Sequence, residues 1–313
     1  MYEGDPPRVS EERLSHLYWA GQHGITDDEL RHPSMLEDEF LEKCKDVKRL
    51  ELFMYSTMSA EDLGDFVNLQ ELSIQLQTVP RAVGLRRLVK LQRLSITDCG
   101  LESVAGVEAC VQLRHLDVSQ NRIEEMDPNV LQYLEELRTL WMNDNRLTRI
   151  EGLEPLTKLT TLWLARNQIA FICDALDNNL ALTDLNLSAN LVGNFKDIPH
   201  LSRLRHLKSL SFGDPHYGEC PVCALCNYQT YVLFHVHHLS TLDSLRLTDE
   251  ARQLAEATYM KKKMCASAQF WARNSAARNS PRANSGAILS RLATASAGTT
   301  TCGSRRSSGT RRT

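Results

Sequence analysis

LRHLDVSQNRI (Leu113–Ile123), LRTLWMNDNRL (Leu137–Leu147), LTTLWLARNQI (Leu159–Ile169) and LTDLNLSANLV (Leu182–Val192) are four versions of one phrase. Their shared skeleton is L-x-x-L-x-L-x-x-N-x-[ILV]. A phrase that returns at a near-constant interval describes a solenoid, in which each coil buries its apolar face on the next. The pairs Leu116/Val118, Leu140/Met142, Leu162/Leu164 and Leu185/Leu187 alternate with period two, so a short strand turns one side inward in every coil. The asparagine at the ninth position (Asn121, Asn145, Asn167, Asn190) falls where the chain leaves that strand. An amide side chain both donates and accepts. A buried ladder of these asparagines can therefore satisfy turn backbone groups of its own and the neighbouring coil.

Working outward from this stretch, coils begin near Val47, Leu69, Leu91, Leu113, Leu137, Leu159, Leu182 and Leu207, at intervals of 22, 22, 22, 24, 22, 23 and 25 residues. The ninth position is Tyr55 and Gln77 in the first two, Cys99 in the third, and is displaced by Asp214-Pro215 in the last. A cysteine there can still donate weakly from a small buried side chain. Intervals near 22 leave room for short helical or 3-10 segments on the outer side, with Gly152-Leu153 at a tight passage. The expected fold is an α/β solenoid, an arc of about eight coils with a parallel β-sheet on its concave face.

Four regions follow. Residues 1–46 hold two capping-box patterns, Thr26–Glu29 and Ser34–Glu37, the second followed by helically spaced Phe40, Leu41 and Cys44; they are expected to cap the open end of the coils. The coils occupy 47–215. Residues 216–264 are expected to form a C-terminal cap, a helix and an extended return, then a further helix from Asp249 with Thr248 as N-cap. Residues 265–313 are dominated by Ser, Ala, Thr, Arg, Asn and Gly with no apolar period, the composition of a disordered tail.

The formal net charge of −3 conceals an asymmetry. The tail carries eight arginines and no acid; the rest holds 28 basic against 39 acidic side chains, a balance of −11. An acidic body does not read as a nucleic-acid binder. Nine cysteines, mostly in repeat positions, do not suggest a disulfide framework. The first residues have no signal-peptide character and no apolar run approaches a membrane span, so a cytoplasmic location is expected, with the nucleus as the alternative.

Nucleotide-binding, hydrolase, zinc-protease and kinase signatures are absent, so no catalytic residue and no cofactor is expected. Cys220, Cys223 and Cys226 are spaced C-x2-C-x2-C near several histidines, which raises zinc. With Pro221 at the first helical position, however, Cys220 becomes a cap and Cys223 and Cys226 face the core. Buried structural thiols, and no metal, are the expectation. The strand residues that point away from the core are more informative. Trp141 and Trp163 share the fifth position of neighbouring coils and should stack, solvated, at the centre of the concave face. Beside them lie His115, Asp117, Asn143, Asp144, Arg166, Asp184 and Asn186. Cross-strand packing alone would explain exposed aromatics, but Trp with Arg is the composition of a binding hot spot, so a protein partner is expected here.

The repeats resemble the short-repeat leucine-rich class typified by a nuclear regulatory subunit of protein phosphatase one. That class has a cap motif, which Tyr228, Val232, Leu233, Leu239, Leu242 and Asp243 fill here; Gln229 stands where the class has Arg, and Val236-His237 replace Leu-Pro. NDNRLTRIEGLEPL, FICDALDNNLALTDLNLSAN and DPHYGECPVCALCNYQTYVLFHVHHLSTLD are similar to the N-terminal repeats of the leucine-rich-repeat-containing protein nine family, from which this chain departs after Lys263-Met264. The resemblance implies a noncatalytic interaction scaffold, with a ciliary or flagellar association and an axonemal or cytoskeletal partner. The class also implies alternatives: a regulatory subunit bound to a protein phosphatase catalytic subunit, or a spliceosomal, nucleic-acid-associated adaptor.

Overall fold

The computed structural model describes residues 37–53, 60–75 and 85–261. The capping box at Thr26, the ninth positions Tyr55 and Gln77, and the basic tail lie outside them. The first described element, α1 (Glu37–Asp46), buries Phe40 and Cys44 completely, one helical turn apart. Both side chains join the core that the first coils continue.

Eight parallel strands follow: β1 (Arg49–Phe53), β2 (Glu71–Gln75), β3 (Arg93–Thr97), β4 (His115–Asp117), β5 (Thr139–Trp141), β6 (Thr161–Trp163), β7 (Asp184–Asn186) and β8 (Ser209–Ser211). They pair strictly in chain order. The register places Leu50, Leu72, Leu94, Leu116, Leu140, Leu162, Leu185 and Leu210 in one row, none more than 3% exposed. Each such leucine contributes about 1.5–3 kcal/mol by leaving water. Eight strands bound seven complete turns, and the eighth coil runs on into the C-terminal cap.

The ninth-position side chains form a continuous zipper. In Asn145, Asn167 and Asn190, Oδ1 accepts an N–H of the coil before (Ile123, Leu147 and Ile169, each at 3.0 Å). Each Nδ2 donates back to a strand-end carbonyl of that coil and to one of its own. Met142 O is thus shared by Asn145 (3.2 Å) and Asn167 (2.9 Å), and Leu164 O by Asn167 (3.0 Å) and Asn190 (2.8 Å). Asn121 reaches Ile96 O at 2.6 Å and accepts from the Cys99 and Leu101 N–H groups. Among the described residues the ladder ends in thiols. Cys99 donates to Ile74 O at 3.6 Å. At the other end Cys220 donates to Leu187 O at 3.1 Å and takes the Asn190 N–H at 3.3 Å. The ninth-position role left vacant at Pro215 passes to a residue beyond a hairpin.

Making that turn forces the residue before each ladder position into the left-handed region. Asp98, Gln120, Asp144, Arg166 and Ala189, all at the eighth position, have φ between 52° and 59°. On the outer side the chain returns through short 3-10 turns (Ala60–Asp65, Leu85–Arg87, Ile198–Arg203) and one α-helical turn, α2 (Pro128–Leu131). The coil that holds α2 is the one with 24 residues, and the helix starts on Asp127, whose carboxylate accepts the Asn129 N–H at 2.9 Å. Gly152 passes beneath this helix at φ 72°; a Cβ there would lie 3.0 Å from Met126 O and 3.1 Å from Pro128 Cα.

After β8 the chain makes the hairpin β9 (Gly213–Asp214) and β10 (Gly218–Glu219), then a 3-10 turn, Pro221–Ala224. The helix α3 (Tyr228–His235) and an extended return, β11 (Thr241–Leu242), follow; β11 adds to the sheet beside β8, and β12 (Leu245–Arg246) folds back on it. The cap motif converges: Val232, Leu233, Leu239 and Leu242 are buried, and the Tyr228 hydroxyl donates to Asp243 Oδ2 at 2.9 Å. Asp243 Oδ1 accepts the Phe212 and Gly213 N–H groups at 2.8 and 2.9 Å, tying the cap to the end of β8. Burial raises the Asp243 pKa against the pull of these donors. A final helix, α4 (249–261), begins where Thr248 Oγ1 accepts the Ala251 N–H at 3.3 Å.

Candidate partner-binding face

The side chains at the third and fifth positions of each coil stand on the sheet face away from the core. At its centre Trp141 and Trp163 sit in register on β5 and β6, their rings 4.9 Å apart and 17° from parallel. His115 meets Trp141 edge-on from the β4 side at 5.0 Å and 79°. On the β7 side the Trp163 Nε1–H donates to Asp184 Oδ2 at 3.2 Å. Burial raises the Asp184 pKa, against the donors Trp163 and Ser209, and burial lowers that of His115, against the Asp117 carboxylate. The residue in register with Asp184 on β6 is Thr161, and Trp141 Nε1 has no hydrogen-bond partner among the described residues.

The expectation of solvated indoles is corrected by this packing. Each ring is half-buried, because stacking covers one face and the flanking side chains crowd the sides. Two further expectations are corrected. Asn143 is 4% and Asn186 6% exposed, so neither is a surface contact. Asn143 Oδ1 accepts the Ala165 N–H of the next coil at 2.9 Å, and Asn186 Oδ1 accepts the Ser188 N–H at 3.0 Å. Asp117 holds Ser119 N–H in the same way at 3.0 Å while staying partly exposed. Short Asn and Asp side chains at these positions serve the strand's exit turn.

One boundary of the face was invisible in the repeat pattern. The β9–β10 hairpin reaches back along the strand ends, where Arg166 Nε donates to Tyr217 O at 3.2 Å. Arg166 Nη1 also contacts Asp144 Oδ1 at 3.3 Å, so one guanidinium links the fifth, sixth and eighth coils. The Tyr217 pKa is raised by burial and by the Asp144, Asp214 and Asp117 carboxylates, and Arg166 opposes the rise. The signal for this hairpin was local: Asp214-Pro215 in place of the ladder turn, and Gly218, which takes φ 112°.

Beyond the Trp pair, toward the first strands, the face is polar. Glu71 bridges Arg49 (2.5 Å) and Arg93 (3.7 Å) beside a shallow depression of about 140 Å³. A larger depression of about 940 Å³ lies on the turn side of the coils, and its lining mixes Glu102, Glu124 and Glu125 with Arg122, Arg146 and Arg149, as a solvated face does.

The cysteines do not converge. Cys220 is in the ladder, Cys223 is half-buried near Tyr228 and Asp243, and Cys226 is exposed. The expectation that Cys226 faces the core is thereby corrected: the 3-10 turn stops at Ala224, so the helical spacing that would bring it inward is lost. Burial pushes the Cys220 thiol up to about 11 and the Cys223 thiol up to about 12. Among the described residues no group of three or more His, Cys, Asp or Glu is arranged to hold a metal.

Comparison with known proteins bears on the same coils. Residues 147–270 and 111–169 match two family models, each described as a leucine-rich repeat. The chain is a short-repeat leucine-rich-repeat protein. Human U2 small nuclear ribonucleoprotein A′ is 29% identical over 143 residues, 45% of this chain and 54% of that protein. Its Saccharomyces cerevisiae counterpart is 35% identical over 133 residues, covering 42% and 53%. Leucine-rich repeat-containing protein 23 of Bos taurus is 32% identical over 117 residues, covering 37% and 33%. This leucine-rich-repeat chain thus spans about half the length, or less, of the curated relatives it matches. Internalin C2 of Listeria monocytogenes superposes with a TM-score of 0.59 at 18% identity, over 76% of this chain and 99% of that one, a likeness of fold alone.

Proposed function

We propose that the protein is a noncatalytic interaction scaffold that holds a protein partner on the open face of its sheet, around Trp141 and Trp163. The observation that carries this reading is the stacked indole pair at the centre of a face whose neighbouring rows are polar. A half-buried indole still has on the order of 50 Å² to bury, about 1 kcal/mol per ring at ~25 cal/mol per Å². Two adjacent rings, with backbone-rigid strands beneath them, can anchor an interface. Leucine-rich repeats as a fold, and relatives that are subunits of a particle by name, support the same reading. A phosphatase catalytic subunit or an axonemal protein, in cytoplasm or cilium, is a partner of the kind the class resemblance implies.

Affinity purification with the full chain and with Trp141→Ala/Trp163→Ala, followed by mass spectrometry, tests it. Proteins held by the parent should be depleted at least tenfold by the double variant, a loss of about 1.4 kcal/mol. Loss of the stack should lower the melting temperature by several degrees without unfolding the chain. An unchanged set of bound proteins overturns the reading.

A second reading, an adaptor within a nuclear ribonucleoprotein, is favoured by the relatives named U2 small nuclear ribonucleoprotein A′. Ribonuclease treatment of the purified complexes distinguishes it: recovered RNA, and proteins released with it, would support the adaptor.

A further inference from the structure

We propose that the segment docked on this face is a basic one, an apolar side chain over the Trp141 and Trp163 ring edges flanked by arginine or lysine. The inference rests on the open sheet face being the docking surface. It comes from the distribution of charge around the indoles. From β3 to the hairpin, the third, fifth and eighth positions present Asp98, Asp117, Asp144, Asp184 and Asp214 against only two arginines. Both arginines are already engaged: Arg166 contacts Asp144 and the Tyr217 carbonyl, and Arg93 faces Glu71 at 3.7 Å.

Asp98, Asp117 and Asp214 are left without a lysine or arginine within ion-pair distance among the described residues. The hydrogen bonds to Asp117 and Asp214 come from neutral donors instead. Asp117 takes the Ser119 N–H, and Asp214 takes the His216 and Tyr217 N–H groups and the Ser244 hydroxyl. These contacts orient the carboxylates and leave their charge uncompensated. Burial is the main cause of the raised Tyr217 pKa, and the Asp144, Asp214 and Asp117 carboxylates add to it against Arg166.

Stacking closes the facing sides of the two rings, His115 packs against Trp141 on the β4 side, and Asn186 stands in register beside Trp163 on the β7 side, which leaves a partner mainly the ring edges. The ring edges therefore take an apolar group, and the cations go to the carboxylates on either side. Such an arrangement steers a basic partner and repels nucleic acid phosphates from this face.

The experiment is selection from a short random-peptide display library on the immobilised full chain. Binding is then measured to the parent, to Trp141→Ala/Trp163→Ala, and to Asp98→Asn/Asp117→Asn/Asp214→Asn. Asparagine keeps the one oxygen that accepts the turn N–H groups at Asp117 and Asp214, gives the Ser244 hydroxyl an amide N–H to accept in place of Asp214 Oδ2, and tolerates the left-handed φ of 53° at Asp98, so the triple variant removes charge while the turns persist. Unchanged circular dichroism and melting temperature verify this. The expected peptides carry an apolar residue flanked by Arg or Lys, lose at least tenfold affinity to the triple variant, and weaken as salt rises from about 50 to about 300 mM. Neutral or acidic peptides that bind the triple variant normally overturn the inference. If those peptides still fail on the Trp variant, the docking face itself survives. Peptides indifferent to both variants, or no enrichment over an unrelated protein, overturn both.

Discussion

Replacing Asn167 by leucine keeps the side chain's bulk and removes four hydrogen bonds at once. The Leu147 N–H, held at 3.0 Å by Oδ1, is orphaned outright, while the carbonyls of Met142, Leu164 and Ala165 each lose a donor at 2.9, 3.0 and 3.3 Å. Met142 O and Leu164 O retain a second asparagine each, from Asn145 and Asn190, so their loss is partial. One fully unsatisfied buried donor costs about 1–3 kcal/mol, and the weakened carbonyls bring the total to roughly 3 kcal/mol. At about 2–4 °C per kcal/mol for a body of this size, the melting temperature should fall by roughly 6–12 °C. Asn194→Leu is the control: Asn194 lies off the ladder and its Oδ1 accepts only the Lys196 N–H at 2.9 Å, so its effect should stay within about 0.5 kcal/mol. Thermal and urea unfolding followed by circular dichroism measure both. Equal small shifts would refute the argument that the zipper, rather than leucine packing alone, sustains the coils.

Two other perturbations probe backbone strain and protonation. Gln120 holds φ 59° without a glycine, so Gln120→Gly should leave stability unchanged or raise it by up to about 1 kcal/mol, whereas Gln120→Val should lower it, both read from urea midpoints. His235 packs 4.5 Å from the Tyr231 ring, its Nε2 is buried without a partner, and burial lowers its pKa, as it does for His115 and His238. For these histidines the unfolded chain binds the proton more tightly. Their contribution to stability is full above the ordinary value of 6.5 and is lost as pH falls from there through the lowered folded values. The melting temperature should accordingly drop between neutral pH and about 5.5, and His235→Phe should make that slope shallower. A slope unchanged by the substitution would remove His235 from the account.

The repeat period, the inward leucines and the ladder asparagines were legible in the amino-acid sequence because each follows from local chemistry. A two-residue alternation defines a strand face, and a polar amide recurring at one phase of an apolar repeat must be satisfying backbone. Stacking in register then needs no further information, since every coil meets only its neighbours; that is why the adjacency of Trp141 and Trp163 was also readable. The cap was readable for a different reason, as a resemblance in which Tyr228 and Asp243 already stood at matching places.

What only the tertiary structure decided are the contacts that leave the repeat. Cys220 takes the ladder role at the last coil because the hairpin inserts before it, so its position in the coil differs from its position in the count. Arg166 binds the Tyr217 carbonyl, 51 residues away in sequence, closing one side of the face. Asn143 and Asn186 are withdrawn from the surface by backbone N–H groups that a one-dimensional pattern assigns to no side chain. Each case turns on competition for a hydrogen-bond partner, and that competition is settled by which groups are brought near and shielded from water. Periodicity determines which side a residue faces; three-dimensional packing determines whether it is free to meet a partner there.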